Sequence, residues 1–445
     1  MNSTRAARRA PRRGALLIRD LALLSRVGGP GSAEQRHSAS KTRVNALMAL
    51  HRVRDTRQRY PTNRSRPAQK LAFSTFFVDL ADAAHLVLPP ACFVCGFNRA
   101  KVGANAGTPS KRLKPGRNAL PSVDALSRFR DRLSLPLIAA PMFLVSGTEL
   151  VVAACRSGVI GSFPTVNCRS PEQLEQWLTD IDIRLNAHAD ASGKQSAPVC
   201  ANLIVHRSNA RLEQDLEVLL RHRPEMVITS VGSPAPVIGP LHDAGALVFA
   251  DVASLRHAER ACAAGADGLV LLTAGAGGQT GWLNPFVFVR AVRAFFDGPL
   301  VLAGGITDGY ALRAAEALGC DLAYMGTKFI ATRESMADIR YKELLVASTA
   351  DDVLLTSAFT GLQTNMLRPS IEAAGLDPDN LPLRGAIDIG KDIDIGVRES
   401  RPKRWKDIWS AGHSVSGVTD VMSVDELVAR TLAEYRAAAT RVQPG

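Results

Sequence analysis

The sequence predicts an α/β fold, a (β/α)8 or TIM barrel. Two observations lead to this fold class. Short apolar runs recur after Asn118 at intervals of about 20 to 40 residues, and helix-like segments lie between them. Strands buried on both faces read as continuous apolar runs, and their alternation with helices indicates a parallel sheet. A doubly wound open sheet is the alternative, but it usually has a glycine fingerprint after its first strand, where this chain has Ala140–Phe143.

The eight apolar runs are the predicted strands: Leu135–Met142, Val159–Thr165, Val199–Val205, Met226–Val231, Ala246–Val252, Gly268–Thr273, Pro299–Ile306 and Leu322–Ile330. The predicted helices between them have apolar residues at spacings of three and four. They are Ser170–Asn186, Ser208–Leu220, Ser254–Ala264, Pro285–Phe296 and Asp308–Leu318. The first of these begins with a natural N-cap, Ser170, and places Pro171 at the first helical position.

The tail after the barrel has a mixed pattern. It continues helically from Ala331 through Ala347, becomes irregular, and ends in a helix-like segment, Val424–Thr440. We therefore divide the chain into a basic extension (1–117), the barrel (118–335) and a helical extension (336–445) that caps one end of the barrel.

The net charge of +12 belongs to the N-terminal quarter of the chain. Residues 1–117 hold 23 Lys and Arg against 5 Asp and Glu, a balance of +18, whereas the remaining residues have a balance of −6. The extension lacks sustained periodicity and is predicted to be disordered. It could be a targeting peptide, a tail that binds acidic surfaces or nucleic acid, or a segment irrelevant to function.

The 7 cysteines form no even framework, which indicates a reducing compartment and a cytoplasmic protein. Cys92 and Cys95 form a C-x-x-C, but no second pair or histidine cluster completes a zinc site, so no metal is expected. No uncharged apolar run of about 18 residues predicts a membrane span.

A glycine-rich loop, Gly275–Gly281, follows the sixth predicted strand. It has too many glycines for the interior of a helix or strand, and its main-chain N–H groups can approach a flat or anionic ligand closely. The helix that begins at Pro285 would point its positive end toward the same place. The loop is either a plain turn or part of a cofactor pocket.

In TIM barrels, phosphate groups are typically held by the loops after strands seven and eight. Here those strands carry Ala303–Ile306 and Tyr324–Thr327, which offer small residues with accessible N–H groups. Met142 ends strand one. Asn202, in strand three, is either a core asparagine or an amide that hydrogen-bonds the edge of a flavin ring.

In combination, five motifs resemble the nitronate monooxygenase family, formerly called 2-nitropropane dioxygenases. They are Ala139–Met142, Asn202–Leu203, Ala276–Gly278, Ala303–Ile306 and Met325–Thr327, and the tail segment Trp405–Gly412 is similar too. The resemblance implies an FMN-containing barrel that oxidises alkyl nitronates with O₂, giving a carbonyl compound and nitrite. It implies FMN contacts for Asn202, Gly277, Gly304, Met325, Gly326 and Thr327, and we expect Met142, Gly278 and Gly305 beside them.

The sequence departs from this family at one position. Many members carry Ala-Gly-Gly-His in the central loop, with the histidine as a base over the flavin, and this chain has Gln279 instead. Glutamine cannot take a proton near neutral pH, but a nitronate is already an anion and needs no base. Gln279 is therefore expected to orient the nitronate. His206 is a substitute base or a surface histidine, and His413 approaches the pocket only if the tail covers the barrel mouth.

Two other functions compete with nitronate oxidation. An FMN-dependent enoyl-thioester reductase resembles the same barrel and uses NAD(P)H. A protein of a different class would bind acidic partners or nucleic acid through residues 1–117. Removal of that extension tests the binding function. If the extension binds acidic partners, its removal should abolish salt-dependent binding and leave the flavin content unchanged.

Overall fold

The fold comes from a computed structural model, which describes residues 125–382 and 407–441. The basic extension, the Cys92–Cys95 pair and the start of the tail motif at Trp405 lie outside the described residues.

Eight parallel strands close into a barrel in which each strand pairs with its neighbours in chain order and the last pairs with the first. The predicted (β/α)8 fold is confirmed. The barrel strands are β1 (Leu137–Ala139), β2 (Ile160–Pro164), β3 (Val199–Ile204), β4 (Met226–Ser230), β5 (Leu247–Val252), β6 (Gly268–Leu272), β8 (Leu300–Ala303) and β9 (Leu322–Met325). A two-residue strand outside the barrel, β7 (Gly278–Gln279), lies between β6 and β8 in the chain.

Side chains alternate between the two faces of the barrel wall, because successive residues of a strand point to opposite sides. On β5, Val248, Ala250 and Val252 pack in the cluster beneath the outer helices, whereas Phe249 packs in the barrel interior. Alternation therefore directs Asp251 inward as well. Phe129, of the short helix α1 (Ser127–Arg130), belongs to the interior cluster.

The outer helices follow the strands at the predicted places, with two further helices, α2 and α5. They are α2 (Thr148–Arg156), α3 (Pro171–Ser192), α4 (Leu212–His222), α5 (Ala235–Asp243), α6 (Leu255–Ala264), α7 (Pro285–Arg293) and α8 (Gly309–Leu318). The predicted N-cap is confirmed, since the Ser170 hydroxyl accepts a hydrogen bond from the Gln173 amide at 3.2 Å.

The last predicted strand, Leu322–Ile330, is wrong in its second half. The strand ends at Met325, and residues Thr327–Ile330 form a short helix, α9. The reason is the backbone of Gly326, which turns into the right-handed helical region (φ −109°, ψ −64°). The helix expected from Ala331 to Ala347 is also shorter, because α10 spans only Ile339–Ala347 and begins at the Asp338 cap.

The tail contains strands that its pattern did not reveal. Strands β10 (Val353–Thr356) and β11 (Thr364–Leu367) form an antiparallel pair, followed by α11 (Arg368–Ala373). The final helix, α12 (Val424–Arg441), packs against α8 and α2 and thus completes the ring of outer helices. The domain bounds given above stay predictions. Within the described residues, no helix is both long and apolar enough to span a membrane.

Candidate active site

A cavity of about 250 Å³ lies at the carboxyl ends of the barrel strands. Nine of the residues singled out from the sequence line it together: Met142, Asn202, Gly277, Gly278, Gln279, Gly304, Gly305, Gly326 and Thr327. The barrel brings them together because parallel strands end at the same rim.

Two residues singled out from the sequence lie elsewhere. The Met325 side chain is buried in the cluster between the barrel wall and the outer helices, because it points away from the interior neighbour Tyr324. His206 does not line the cavity. It lies on the loop after β3, where its Nδ1 atom is 2.7 Å from the Ser208 hydroxyl. The geometry therefore gives His206 no place as a base.

The glycine-rich loop is more ordered than its composition predicts. We expected no strand here, but Gly278 and Gln279 form β7, which pairs antiparallel with β11. The tail supplies the partner strand, and the Asn365 side chain donates to the Ala276 carbonyl at 2.7 Å. Pairing holds the backbone of Gln279, a residue that lines the cavity.

The same loop touches a second part of the tail through its backbone. The His413 amide donates to the Gly275 carbonyl at 2.9 Å. A Cβ atom on Gly277 would lie only 2.7 Å from the Gly412 nitrogen. Glycine at position 277 therefore serves the close approach of loop and tail, in addition to any contact with a ligand. His413 itself is exposed and does not line the cavity.

We expect Gly277→Ala to separate the loop from the tail, because the added Cβ would collide with backbone atoms. The free energy of unfolding should fall by about 1–3 kcal/mol, as for other overpacked sites. Hydrogen exchange at the His413 amide should accelerate. Gly239→Ala is the control, since Gly239 has open space around it and, like Gly277, no left-handed backbone; unchanged His413 exchange in Gly277→Ala would contradict the contact.

The ends of β8 and β9 present backbone donors to the cavity. Within the described residues, the amides of Gly305, Ile306 and Gly326 donate to no backbone acceptor. A Cβ on Gly305 would meet nothing within 4 Å, whereas one on Gly304 would meet the Thr273 hydroxyl at 2.5 Å. Gly305 therefore borders open space, and Gly304 packs against the β6 loop.

Thr327 adds a hydroxyl to these donors. Its Oγ1 atom accepts a hydrogen bond from the Gly412 amide at 3.0 Å, which leaves the O–H hydrogen able to donate. Unpaired amides together with a hydroxyl can hold an anionic oxygen group such as a phosphate.

The Asn202 side chain is positioned by hydrogen bonds to the neighbouring strand β4. Its amide nitrogen donates to the Ile228 carbonyl at 3.2 Å, and its oxygen lies 3.3 Å from the Ser230 hydroxyl, which donates to it. These two bonds fix the amide plane at the cavity wall and leave one N–H for a ligand. Such an arrangement fits the edge of a heteroaromatic ring.

The cavity has an unusual charge distribution. Among the described residues that line it, there is no Lys, Arg or His. The only carboxyl group is that of Asp251, and two phenols, Tyr324 and Tyr341, also line it. Burial raises the pKa of Tyr341, and it raises the pKa of Tyr324 further, with Asp251 adding to the effect. The described lining therefore offers neutral hydrogen-bond donors to a ligand.

The tail forms one side of the cavity. Trp409 stacks on Tyr341 with ring centroids 5.0 Å apart and an angle of 7° between the planes. The Tyr341 hydroxyl donates to the Ser410 carbonyl, and Trp409, Ser410 and Ser414 line the cavity. The tail thus shields the strand ends from solvent.

The nitronate monooxygenase family model matches residues 129–434, which is more than half of the chain. The chain belongs to the nitronate monooxygenase family. A nitronate monooxygenase of Paraburkholderia phytofirmans is 30% identical over 278 residues, covering 55% of this chain and 76% of that protein. The family predicted from the motifs is therefore confirmed.

Two solved structures show the same fold. FabK from Thermotoga maritima aligns with a TM-score of 0.58 at 23% identity, covering 71% of this chain and 97% of that chain. Nitroalkane oxidase from Streptomyces ansochromogenes aligns with a TM-score of 0.56 at 24% identity, covering 71% of this chain and 100% of that chain. As a nitronate monooxygenase family member, the protein is a flavin-dependent oxidoreductase.

Among the residues of this family member's cavity that the motifs did not assign to the site are Asp251, Trp409, which lies within the tail segment, and Ser414. For Asp251 a signal was present, since it is the only charged residue in the eight barrel strands. The two tail residues lie about 80 positions or more beyond the last barrel strand, so their approach depends on tertiary folding.

Proposed function

We propose that the protein binds FMN and oxidises alkyl nitronates with O₂ to a carbonyl compound and nitrite. The observation that carries the proposal is the convergence of unpaired backbone amides at the ends of β8 and β9 with Gln279 in one cavity. When bound, FMN supplies the transfer of electrons from the nitronate to O₂.

The residues of the cavity have separate roles in this proposal. The amides of Gly305, Ile306 and Gly326, with the Thr327 hydroxyl, hold the phosphate. The Asn202 amide hydrogen-bonds the edge of the flavin ring. The carboxamide of Gln279 donates to the nitro oxygens and orients the substrate, and the tail around Trp409 excludes water.

The proposed substrate is an anion, and none of the described residues that line the cavity has a cationic side chain. Neutral hydrogen bonds from amides and hydroxyls must therefore hold it, each contributing about 0.5–1.5 kcal/mol. A residue that takes a proton from carbon is not required, because the nitronate has already lost that proton.

Enoyl-thioester reduction with NAD(P)H is the second candidate. It is supported by the structural similarity to FabK, whose TM-score is about the same as that of nitroalkane oxidase. The lack of cationic side chains among the described lining residues also favours a reacting group that is neutral, such as a thioester. Binding through residues 1–117, the cytoplasmic location and the use of O₂ stay predictions.

The visible spectrum of the purified protein tests the cofactor. We expect a yellow protein that releases one FMN per chain on denaturation, because the cavity offers one phosphate site. Released FAD, or no flavin after reconstitution, would contradict the proposal. Anaerobic addition of a nitronate should then bleach the flavin spectrum. Bleaching by NAD(P)H, with reoxidation by an enoyl thioester and no response to nitronate, would favour the reductase.

A further inference from the structure

Asp251 is the only acidic residue in the eight barrel strands. It lies near the end of β5, on the inward face above Phe249, and lines the cavity. The residue is partly buried. Its Oδ1 atom is buried and has no hydrogen-bond partner within the described residues.

Among the described residues, no neighbouring group compensates a negative charge on this carboxyl. The titratable groups that face it are Cys200 of β3 and Tyr324 of β9, both of which burial keeps neutral by raising their pKa values well above the usual range. The flanking strands β4 and β6 face the interior with Ile228, Ser230, Val270 and Leu272, none of which titrates. Desolvation alone raises the pKa of Asp251 to about 7.

A neutral carboxyl differs from an ionised one in what it can bind. Protonated, it donates one O–H hydrogen bond; ionised, it only accepts. Because the buried Oδ1 atom has no partner among the described residues, the carboxyl that lines the cavity keeps hydrogen-bonding capacity for a molecule bound there. Uncompensated buried carboxyls of this kind are concentrated at functional sites.

We propose that Asp251 is a positioning residue whose neutral carboxyl donates a hydrogen bond to an oxygen acceptor of the ligand, so that binding requires the proton on Asp251. The inference rests on the proposed function, which supplies two sources of that acceptor: a carbonyl of the flavin ring and a nitro oxygen of the substrate. An ionised Asp251 would repel either oxygen, and most strongly that of the anionic nitronate.

Titration of the apoprotein with FMN from pH 5.5 to pH 8.5, followed by flavin fluorescence, tests the first source. In the wild type, the dissociation constant should rise up to tenfold per pH unit above pH 7, which makes it roughly 30-fold larger at pH 8.5 than at pH 6. In Asp251→Asn it should not rise, because the carboxamide donates at every pH. The FMN phosphate itself titrates near pH 6, so wild type and variant are compared at each pH, with riboflavin as a second probe.

Titration of the reconstituted protein with a nitronate under anaerobic conditions, followed by the flavin spectrum, tests the second source. If the affinity for nitronate depends on pH in this way and the affinity for FMN does not, the acceptor belongs to the substrate. The exposed Asp243→Asn is the control and should behave as the wild type. No difference in pH dependence between the wild type and Asp251→Asn in either arm would overturn the role of Asp251 and leave the flavin proposal standing. No flavin binding at any pH would reject both.

Thermal melting of the apoprotein shows independently that Asp251 titrates. The folded state binds the Asp251 proton more tightly than the unfolded state, so the carboxyl lowers wild-type stability as the pH rises from about 4 to about 7. Asp251→Asn should therefore melt at a higher temperature than the wild type at pH 8, with a smaller difference at pH 5. If the difference in melting temperature between the variant and the wild type is the same at pH 5 and pH 8, Asp251 does not titrate in this range and the proposal is overturned.

Discussion

A Gly305→Val variant is expected to purify without flavin, whereas Gly193→Val keeps its flavin. Both glycines have left-handed backbones, with φ of 74° and 69°, and a Cβ on either would meet nothing within 4 Å. The backbone strain is therefore matched, at about 1–2 kcal/mol for a non-glycine residue. Only at Gly305 does the new side chain enter the cavity and crowd the unpaired amides.

The measurement is the ratio of released flavin to protein, together with the melting temperature. We expect the flavin content of Gly305→Val to fall below about a tenth of the wild-type value, a loss of more than about 1.4 kcal/mol in binding. Both variants should melt at similarly lowered temperatures as apoproteins. Full flavin content in Gly305→Val would place the phosphate elsewhere in the barrel.

Gln279→Ala should lower turnover of a nitronate by roughly 10-fold to 100-fold. That range corresponds to the loss of one or two neutral hydrogen bonds at about 1.4 kcal/mol per factor of ten. Gln363→Ala is the matched control, because Gln363 is an exposed glutamine on the segment that leads into β11 and does not line the cavity. A loss of similar size in the control would indicate damage to the β7–β11 pairing.

Gln279→His tests the same position in another way. Histidine titrates near pH 6.5, so this variant should gain turnover of neutral nitroalkanes, with a pH dependence between about 6 and 7. Steady-state rates with matched nitroalkane and nitronate pairs give the measurement. Efficient turnover of neutral nitroalkanes by the wild type would contradict the role of Gln279, and Asp251 rather than His206 would then be the base within reach of the cavity.

Several features of the site were predictable from local sequence, and others were not. The positions of Gly305 and Gly326 in the cavity were predictable, because the ends of strands seven and eight of a barrel lie at the same rim. The outward position of the Met325 side chain was not predictable, because a motif does not show which face of the strand a residue occupies until the register is known. Gln279 was recognised by its place after Ala-Gly-Gly, but its backbone pairing with β11 depends on a strand more than 80 residues away.

The sequence by itself determined the barrel, its family and most of the cavity rim, because apolar periodicity and cap residues act over a few neighbouring positions. The tertiary structure decided how the loop, the tail and the barrel interior meet. Gly277 is needed where two backbones touch, and His206 lies on a loop outside the residues that line the cavity. The protonation of Asp251 depends on burial and on the absence of nearby cations among the described residues, which are properties of three-dimensional packing.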